Sequence, residues 1–171
     1  MRSGVFIFIM LWLAGQQFLS AQTGPNKLAF MEGEWQGLGW MMTQGGNQSS
    51  NILEKVECRQ GCTVLVVTGL GTKTDSITKE TKTVHDAFGV ISYDNKAGKY
   101  MMRAYRNGEV TDAAIEFLND KTIRWSMVTP QGGTVRFTTD FTESNKWKEM
   151  GEFSRDGNSW MKIMEMELLK K

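Results

Sequence analysis

From about residue 33 to the C-terminus, apolar and polar residues alternate in short runs. Glycine, asparagine and aspartate cut these runs at near-regular intervals. Two segments show the alternation most clearly. Over 134–141, Val135, Phe137, Thr139 and Phe141 fall on one face, and Arg136, Thr138 and Asp140 on the other. Over 122–128, Ile123, Trp125 and Met127 oppose Arg124, Ser126 and Val128. A period of two marks strands with one buried and one wet face. Residues 62–70 (CTVLVVTGL) are β-branched and apolar, which suits a strand.

The breaks between runs carry turn chemistry. They include Gln44-Gly45-Gly46-Asn47, Arg59-Gln60-Gly61, Asp94-Asn95-Lys96-Ala97-Gly98, Asn107-Gly108, Asn119-Asp120, Pro130-Gln131-Gly132-Gly133, Ser144-Asn145 and Asp156-Gly157-Asn158. Asn-Gly and Asp-Gly pairs suit the tight hairpin turns that need positive φ. Residues 25–31 are the one helical piece, with Leu28 and Met31 three apart on a shared face. Counting runs between turns predicts about ten strands, with residues 71–82 the least regular. Strands joined by short sequential turns, with no intervening helices, predict an all-β, antiparallel up-and-down barrel rather than a sandwich with long crossings. Gly33, Gly37 and Gly39 on the first strand allow the sharp bends that closed barrels need. No internal repeat or linker interrupts the pattern, so residues 22–171 are expected to form a single domain.

The beginning of the chain reads differently. Met1-Arg2 precedes a continuous apolar run over residues 5–14 (VFIFIMLWLA), followed by the small residues Ser20 and Ala21. This is the pattern of a secretory signal peptide over residues 1–21, too short in its apolar part for a comfortable membrane span. No Cys follows the run, which argues against a lipid-anchored lipoprotein. An exported protein, periplasmic or secreted, is expected, with no membrane span in the mature chain.

Charge narrows the partners. The 171 residues hold 20 Lys+Arg against 19 Asp+Glu. Removing residues 1–21 takes away Arg2 and no acidic residue, so the mature chain is balanced. Nucleic-acid domains carry a clear basic excess, so no nucleic-acid partner is expected.

Export permits disulfides. The two cysteines, Cys58 and Cys62, lie in E-C-R-Q-G-C-T. If Arg59-Gln60-Gly61 makes a three-residue hairpin loop, the cysteines face each other across the strands, and a bridge would pin register. Free thiols or a redox or metal pair are the alternatives. The βαβ context of redox motifs is absent.

A resemblance appears once these elements are in place. The stretch L-A-F-M-E-G-E-W-Q-G-L-G-W puts a short helix before an apolar-x-Gly-x-Trp strand. It resembles the start of the calycin barrels: lipocalins, fatty-acid-binding proteins and the nitrobindin-like group. There Gly33-Glu34-Trp35 matches the G-x-W element, whose Trp packs at the closed end. Two further stretches extend the match, H-D-A-F-G-V-I-S-Y-D-N-K-A-G-K-Y-M-M-R-A-Y from His85 and W-K-E-M-G-E-F-S-R-D-G-N-S-W-M-K-I-M-E-M from Trp147. Together they resemble a bacterial exported family catalogued as domain of unknown function 1579, over nearly the whole mature chain. The resemblance implies a lipocalin-like, calycin barrel and brings no catalytic residues. Lipocalins place an Arg from the last strand over the Trp; the last strand here offers Lys162 instead.

Chemistry-bearing residues are sparse. His85 is the single histidine. It could ligate haem iron, as in the nitrobindin-like barrels, but those use a late strand. The plainer expectation is a hydrogen-bonded His beside Asp86, packed near Tyr93. One His and two cysteines cannot build a zinc-type site, so no metal is assigned. A Ser-His-Asp triad has no G-x-S-x-G elbow to present its nucleophile. No catalytic residue and no cofactor are assigned.

Glu149 shares a phase with Trp147, Gly151 and Phe153, so an inward face would put a carboxylate in the lumen. Pairing Arg155 with Asn158 around the Asp156-Gly157 turn sets Phe153 opposite Trp160 and Glu149 opposite Met164. It brings Lys162 diagonal to Glu149, and an ion pair between them is the expectation. Arg103 and Tyr105 share one phase of their strand and Tyr100, Met102 and Ala104 the other, with the inward set left open.

The mature chain keeps five tryptophans and ten methionines, side chains that line adaptable apolar pockets and also fill cores. The reading is a barrel that binds a small hydrophobic or amphipathic ligand, lined by Trp35, Tyr93, Arg103 and Trp125. The alternatives are a structural or protein-interaction barrel with a filled lumen, and an enzyme or haem-binding barrel.

Overall fold

A computed structural model describes residues 26–171. The expected signal segment lies outside the described residues. A single 3₁₀ turn, Ala29–Met31, precedes ten strands: β1 Gly33–Thr43, β2 Gly46–Arg59, β3 Val64–Thr74, β4 Thr81–Asp94, β5 Lys99–Arg106, β6 Glu109–Asn119, β7 Thr122–Val128, β8 Thr134–Asp140, β9 Lys146–Ser154 and β10 Met161–Lys170. Each strand pairs antiparallel with its neighbours in sequence, and β1 pairs with β10, which closes the sheet into an up-and-down barrel. The all-β, antiparallel barrel expected from the alternation is therefore the fold. The irregular 71–82 stretch is the end of β3, a loop held by the Asp75 carboxylate, and the start of β4. Among the described residues, no helix is long and apolar enough to cross a membrane.

Closure matters because it removes exposed strand edges and creates an inside. The alternation then sorts every strand into lumen and solvent. At the end where β1 begins, the inward positions are large. Trp35, Val56, Leu65, Ile91, Tyr100, Ile115, Ile123, Phe141, Trp147 and Leu168, one or two from each strand or its flank, form a contiguous core. Leu28 and Met31 of the N-terminal turn plug that end, both essentially fully buried. The Trp35 indole N–H donates to the Met31 carbonyl at 2.9 Å, and the Lys27 N–H donates to the Tyr100 hydroxyl at 2.7 Å. Trp35 meets Phe141 and Trp147 edge-on at 5.3 and 5.9 Å. Each such pair adds roughly 1 kcal/mol beyond area burial. A cation does lie over the Trp35 ring, but it is Lys170, at 5.1 Å, rather than Lys162.

Gly37 and Gly39 act where β1 crosses closest to β10. A methyl group at Gly39 would sit 2.9 Å from Met166 Cβ, and one at Gly37 would collide with the Glu167 carbonyl. Only glycine lets the two strands approach this closely.

Three local expectations are corrected. Cys58 and Cys62 are bridged, with S–S 2.11 Å. They do not face each other across paired strands: Cys58 pairs in register with Leu65, and Cys62 lies within the loop at φ 63°. The Asp156-Gly157 connection is not a two-residue turn. Asp156 Oδ1 accepts from the backbone N–H of Asn158 and of Ser159, both at 2.8 Å, and this widens the loop. Phe153 is therefore opposite Met161, and Glu149 is opposite Met166. A bulge between Lys162 and Met164 shifts the phase of β10, which explains the apolar residues on both of its sequence faces. Lys162 points outward and pairs with Glu165 at 3.1 Å, so the Glu149–Lys162 ion pair does not form.

Candidate functional site in the barrel lumen

Away from the plugged end, the same alternation presents small side chains inward. Gly69 and Gly71 on β3, Ala87 and Gly89 on β4, Ala104 on β5 and Ala113 on β6 share the inward phase of the buried residues below them. Met102, Trp125 and Phe137 also share that phase, yet each stays partly exposed. Met102 and Trp125 also pack against the core cluster of the plugged end, so they lie where the large inward residues give way to small ones. Trp125 and Phe137 are register partners and stack at 4.2 Å with an 18° interplanar angle, forming a flat apolar wall.

The β6–β7 seam follows the same division. Its backbone ladder runs only where Glu116, Phe117 and Asn119 meet Arg124, Ile123 and Thr122, toward the plugged end. Beyond it, a contact from the Thr111 hydroxyl to Met127 Sδ at 3.6 Å crosses the seam.

Two carboxylates face inward. Glu54 on β2 lies in phase with Ile52 and Val56 and is 8% exposed. Its side chain lies across the bare inner face of β3: a methyl group at Gly69 would sit 2.6 Å from Glu54 Oε1. Among the described residues Glu54 has no hydrogen-bond or ion-pair partner. Burial, and secondarily the nearby charge of Glu149, push its carboxyl up to about 8. Glu149 on β9 accepts the Thr139 hydroxyl at 2.7 Å. Burial raises its carboxyl as well, opposed by Thr139 and by the Trp147 indole. Glu149 is partly exposed. The Trp147 indole N–H is close enough to favour ionised Glu149, but it is buried and makes no hydrogen bond of normal geometry.

His85 faces inward nearer the open mouth, opposite Gly71. Burial and then Arg106 lower its pKa, against the pull of Asp86. Its Nδ1 is buried without a partner, so the expected hydrogen-bonded histidine beside Asp86 is not found. Nor is it near Tyr93. The two are eight residues apart on one extended strand, about 26 Å, at opposite ends of the barrel.

The four residues expected to line a pocket do not come together. Trp35 is sealed in the plugged end at 3% exposure. Tyr93 packs edge-on against Tyr100 at 5.1 Å near the same plug. Trp125 faces inward, stacked on Phe137. Arg103 is on the outer face, where its guanidinium makes a two-pronged pair with Asp112 at 2.7 Å for each contact. The inward set of β5 is Tyr100, Met102 and Ala104. Arg103 therefore does not line the lumen, because its strand phase points it to solvent. Glu54 was missed; the signal available was its position between Ile52 and Val56 in an alternating run.

Two further concavities open on the outside. One of about 260 Å³ lies between β8, β9 and β10, around Thr138, Lys148 and Glu165, and Glu149 and Met166 also line it. One of about 140 Å³ lies beside the plug, between Phe30, Lys121 and Asn145. Glu54 lines neither of them.

Fold and site define a closed ten-stranded antiparallel barrel with a plugged end and an acidic lumen. The chain is similar in structure to Rv2717c from M. tuberculosis, with TM-score 0.58 and 9% identity over 84% of this chain and 94% of that one. That likeness shows a shared fold. A protein of unknown function from the DUF3598 family, from Nostoc punctiforme, aligns over 86% of this chain and 98% of its own at 7% identity, with a TM-score of only 0.29. No family model matches the sequence, and no curated protein matches it. The resemblance to domain family 1579 thus rests on its sequence stretches alone.

Proposed function

We propose that this protein is an exported barrel that binds a small apolar or amphipathic ligand in the open half of its lumen, and that it groups with the exported family its sequence resembles. The observation supporting this is the contrast in inward faces. Met102, Trp125 and Phe137 remain partly exposed around small residues, while the opposite end is sealed. Apolar walls with a few convergent polar groups are the usual make-up of a small-molecule site. A rigid barrel keeps the ordering cost of binding low.

Native mass spectrometry of the mature protein purified from its own host tests this reading, paired with titration of the apolar fluorophore N-phenyl-1-naphthylamine. The expected result is a co-purifying ligand mass, or fluorophore uptake that quenches Trp125 emission. A clean apo protein that also excludes the fluorophore would overturn the reading in favour of a filled structural or interaction barrel.

A further inference from the structure

The polar groups of the lumen have an order along the barrel axis. Two acids, Glu54 and Glu149, lie deep on β2 and β9, and His85, Arg106 and Glu109 lie toward the open mouth. A carboxylate ligand entering head-first would meet two carboxyl groups at the bottom. A cationic head would meet acceptors. We propose that Glu54 and Glu149 recognise the ammonium head of an amphipathic amine, whose hydrocarbon tail lies along Trp125, Phe137 and Met102. This rests on the lumen-binding reading above and specifies its ligand class.

Two observations carry the assignment. Glu54 is more than nine-tenths buried and has no hydrogen-bond or ion-pair partner among the described residues. Burying a carboxyl without a charge partner is costly. Gly69 supplies the second, because its missing side chain is what allows the Glu54 carboxyl to lie over β3 within the lumen. Glu149 is held by Thr139, so its position is set before any ligand arrives. A preset acceptor and an unpartnered one, facing a common space, make a half-satisfied network that a donor-rich head group completes.

The neighbouring strands do not neutralise the pair. The inward residues of β1 and β3 beside Glu54 are Trp35, Gly37, Leu65, Val67 and Gly69, none of them charged. Those of β8 and β10 beside Glu149 are Phe137, Thr139, Met164 and Met166, again without charge. Toward the mouth, His85, Arg106 and its register partner Glu109 share the inward phase. Without a cation Glu54 is therefore held largely protonated at neutral pH, and burial raises Glu149 in the same direction. Engaging an ammonium ion shifts the pair toward the carboxylate form, and the displaced proton leaves to solvent.

The test compares dodecylamine, dodecanol and dodecanoate, which share one tail and differ in head, by displacement of N-phenyl-1-naphthylamine at pH 7.5. The amine is expected to bind at least tenfold more tightly than the alcohol, and dodecanoate no better than the alcohol. Glu54→Gln should lower amine affinity at least fivefold and leave dodecanol binding unchanged. Glu149→Gln provides a second variant should Glu54→Gln fold poorly. Calorimetric titration of dodecylamine in buffers of different ionisation enthalpy should show net proton release. Equal affinities for the three ligands, preference for dodecanoate, or an amine preference retained in both variants would overturn the assignment while leaving lumen binding intact. If none of the three ligands displaces the fluorophore, or the fluorophore itself does not bind, the lumen-binding reading falls and this inference falls with it.

Discussion

The plugged end and the open half of the barrel are built from the same ten strands, with the same inward–outward alternation, yet they behave as different materials. At the plugged end the inward positions hold Trp35, Leu65, Tyr100, Phe141 and Trp147, interlocked and almost fully buried. In the open half the same strands place Gly69, Gly71, Ala87, Gly89 and Ala104 inward, with two carboxyl groups among them. Hydrogen-bonded geometry is common to both; side-chain volume separates them. Core stability comes from filled volume, and a binding space comes from leaving it unfilled. One sheet thus supports both by grading side-chain size along the barrel axis.

The contrast can be broken most directly at its tryptophans. Trp35→Ala should cost about 4 kcal/mol, because it opens a cavity against Phe141 and Trp147 and breaks the tie to Met31. Trp125→Ala should cost about 2 kcal/mol, because that ring is already partly exposed. Urea unfolding of both variants measures the difference; equal losses would mean that the open half is packed as tightly as the plug.

The acidic lumen has its own signature in pH. Glu54 titrates near 8 in the folded chain and near 4.5 when unfolded. Between those values the unfolded chain has released a proton that the folded chain retains, so stability falls as pH rises through that window. The fall attributable to Glu54 reaches up to about 5 kcal/mol by pH 8. Glu54→Gln should flatten this part of the stability–pH curve and make the protein more stable at pH 8. Asp156 acts in the opposite sense and elsewhere. Its folded value, held at about 2 by backbone donors, gives stability that is lost only in strong acid. A Glu54→Gln curve parallel to that of the wild type would remove the acid from the lumen.

Two glycines sharpen the same contrast at lower cost. Gly69→Ala should destabilise by about 1–3 kcal/mol and displace the Glu54 carboxyl, because the new methyl meets it at 2.6 Å. Gly89→Ala should lie within about 0.5 kcal/mol of wild type, since the nearest atom would be 3.6 Å away. Thermal unfolding distinguishes the two. The smallest effect belongs to the outer surface. Arg103→Ala should change stability by less than about 1 kcal/mol and leave lumen binding untouched, because its partner Asp112 is solvent-exposed as well. Reduced ligand affinity in that variant would bring β5 back into the site.

Much of the barrel was legible before any coordinates. The turn signals at Asn107-Gly108 and Pro130–Gly133 fall between observed strands, Asn119-Asp120 straddles the end of β6, and the faces read for β7 and β8 are the faces observed. These depend on local chemistry: positive φ at turns and a period of two within strands. The Asp156 loop went astray for a local reason too. An Asp carboxylate that captures two backbone N–H groups makes a wider loop than an Asp-Gly pair alone implies, and the register of β10 moved with it.

The site was less legible, because phase within a strand does not say how far along the barrel a residue lies. Trp35 and Trp125 look equivalent as inward tryptophans, and Tyr93 and His85 share a phase on one strand. Only closure of the sheet assigns Trp35 and Tyr93 to the plug, Trp125 to its border and His85 to the open half. The order of apolar and polar residues by itself determined the strands, the turns and the antiparallel barrel, since each of these follows from interactions a few residues apart. The tertiary structure alone decided which end is sealed, that Arg103 faces solvent, and that Glu54 and Glu149 share one lumen. Those facts depend on β2 and β9 being brought around the barrel to a common interior, and residues so far apart in the chain meet only when β1 and β10 join.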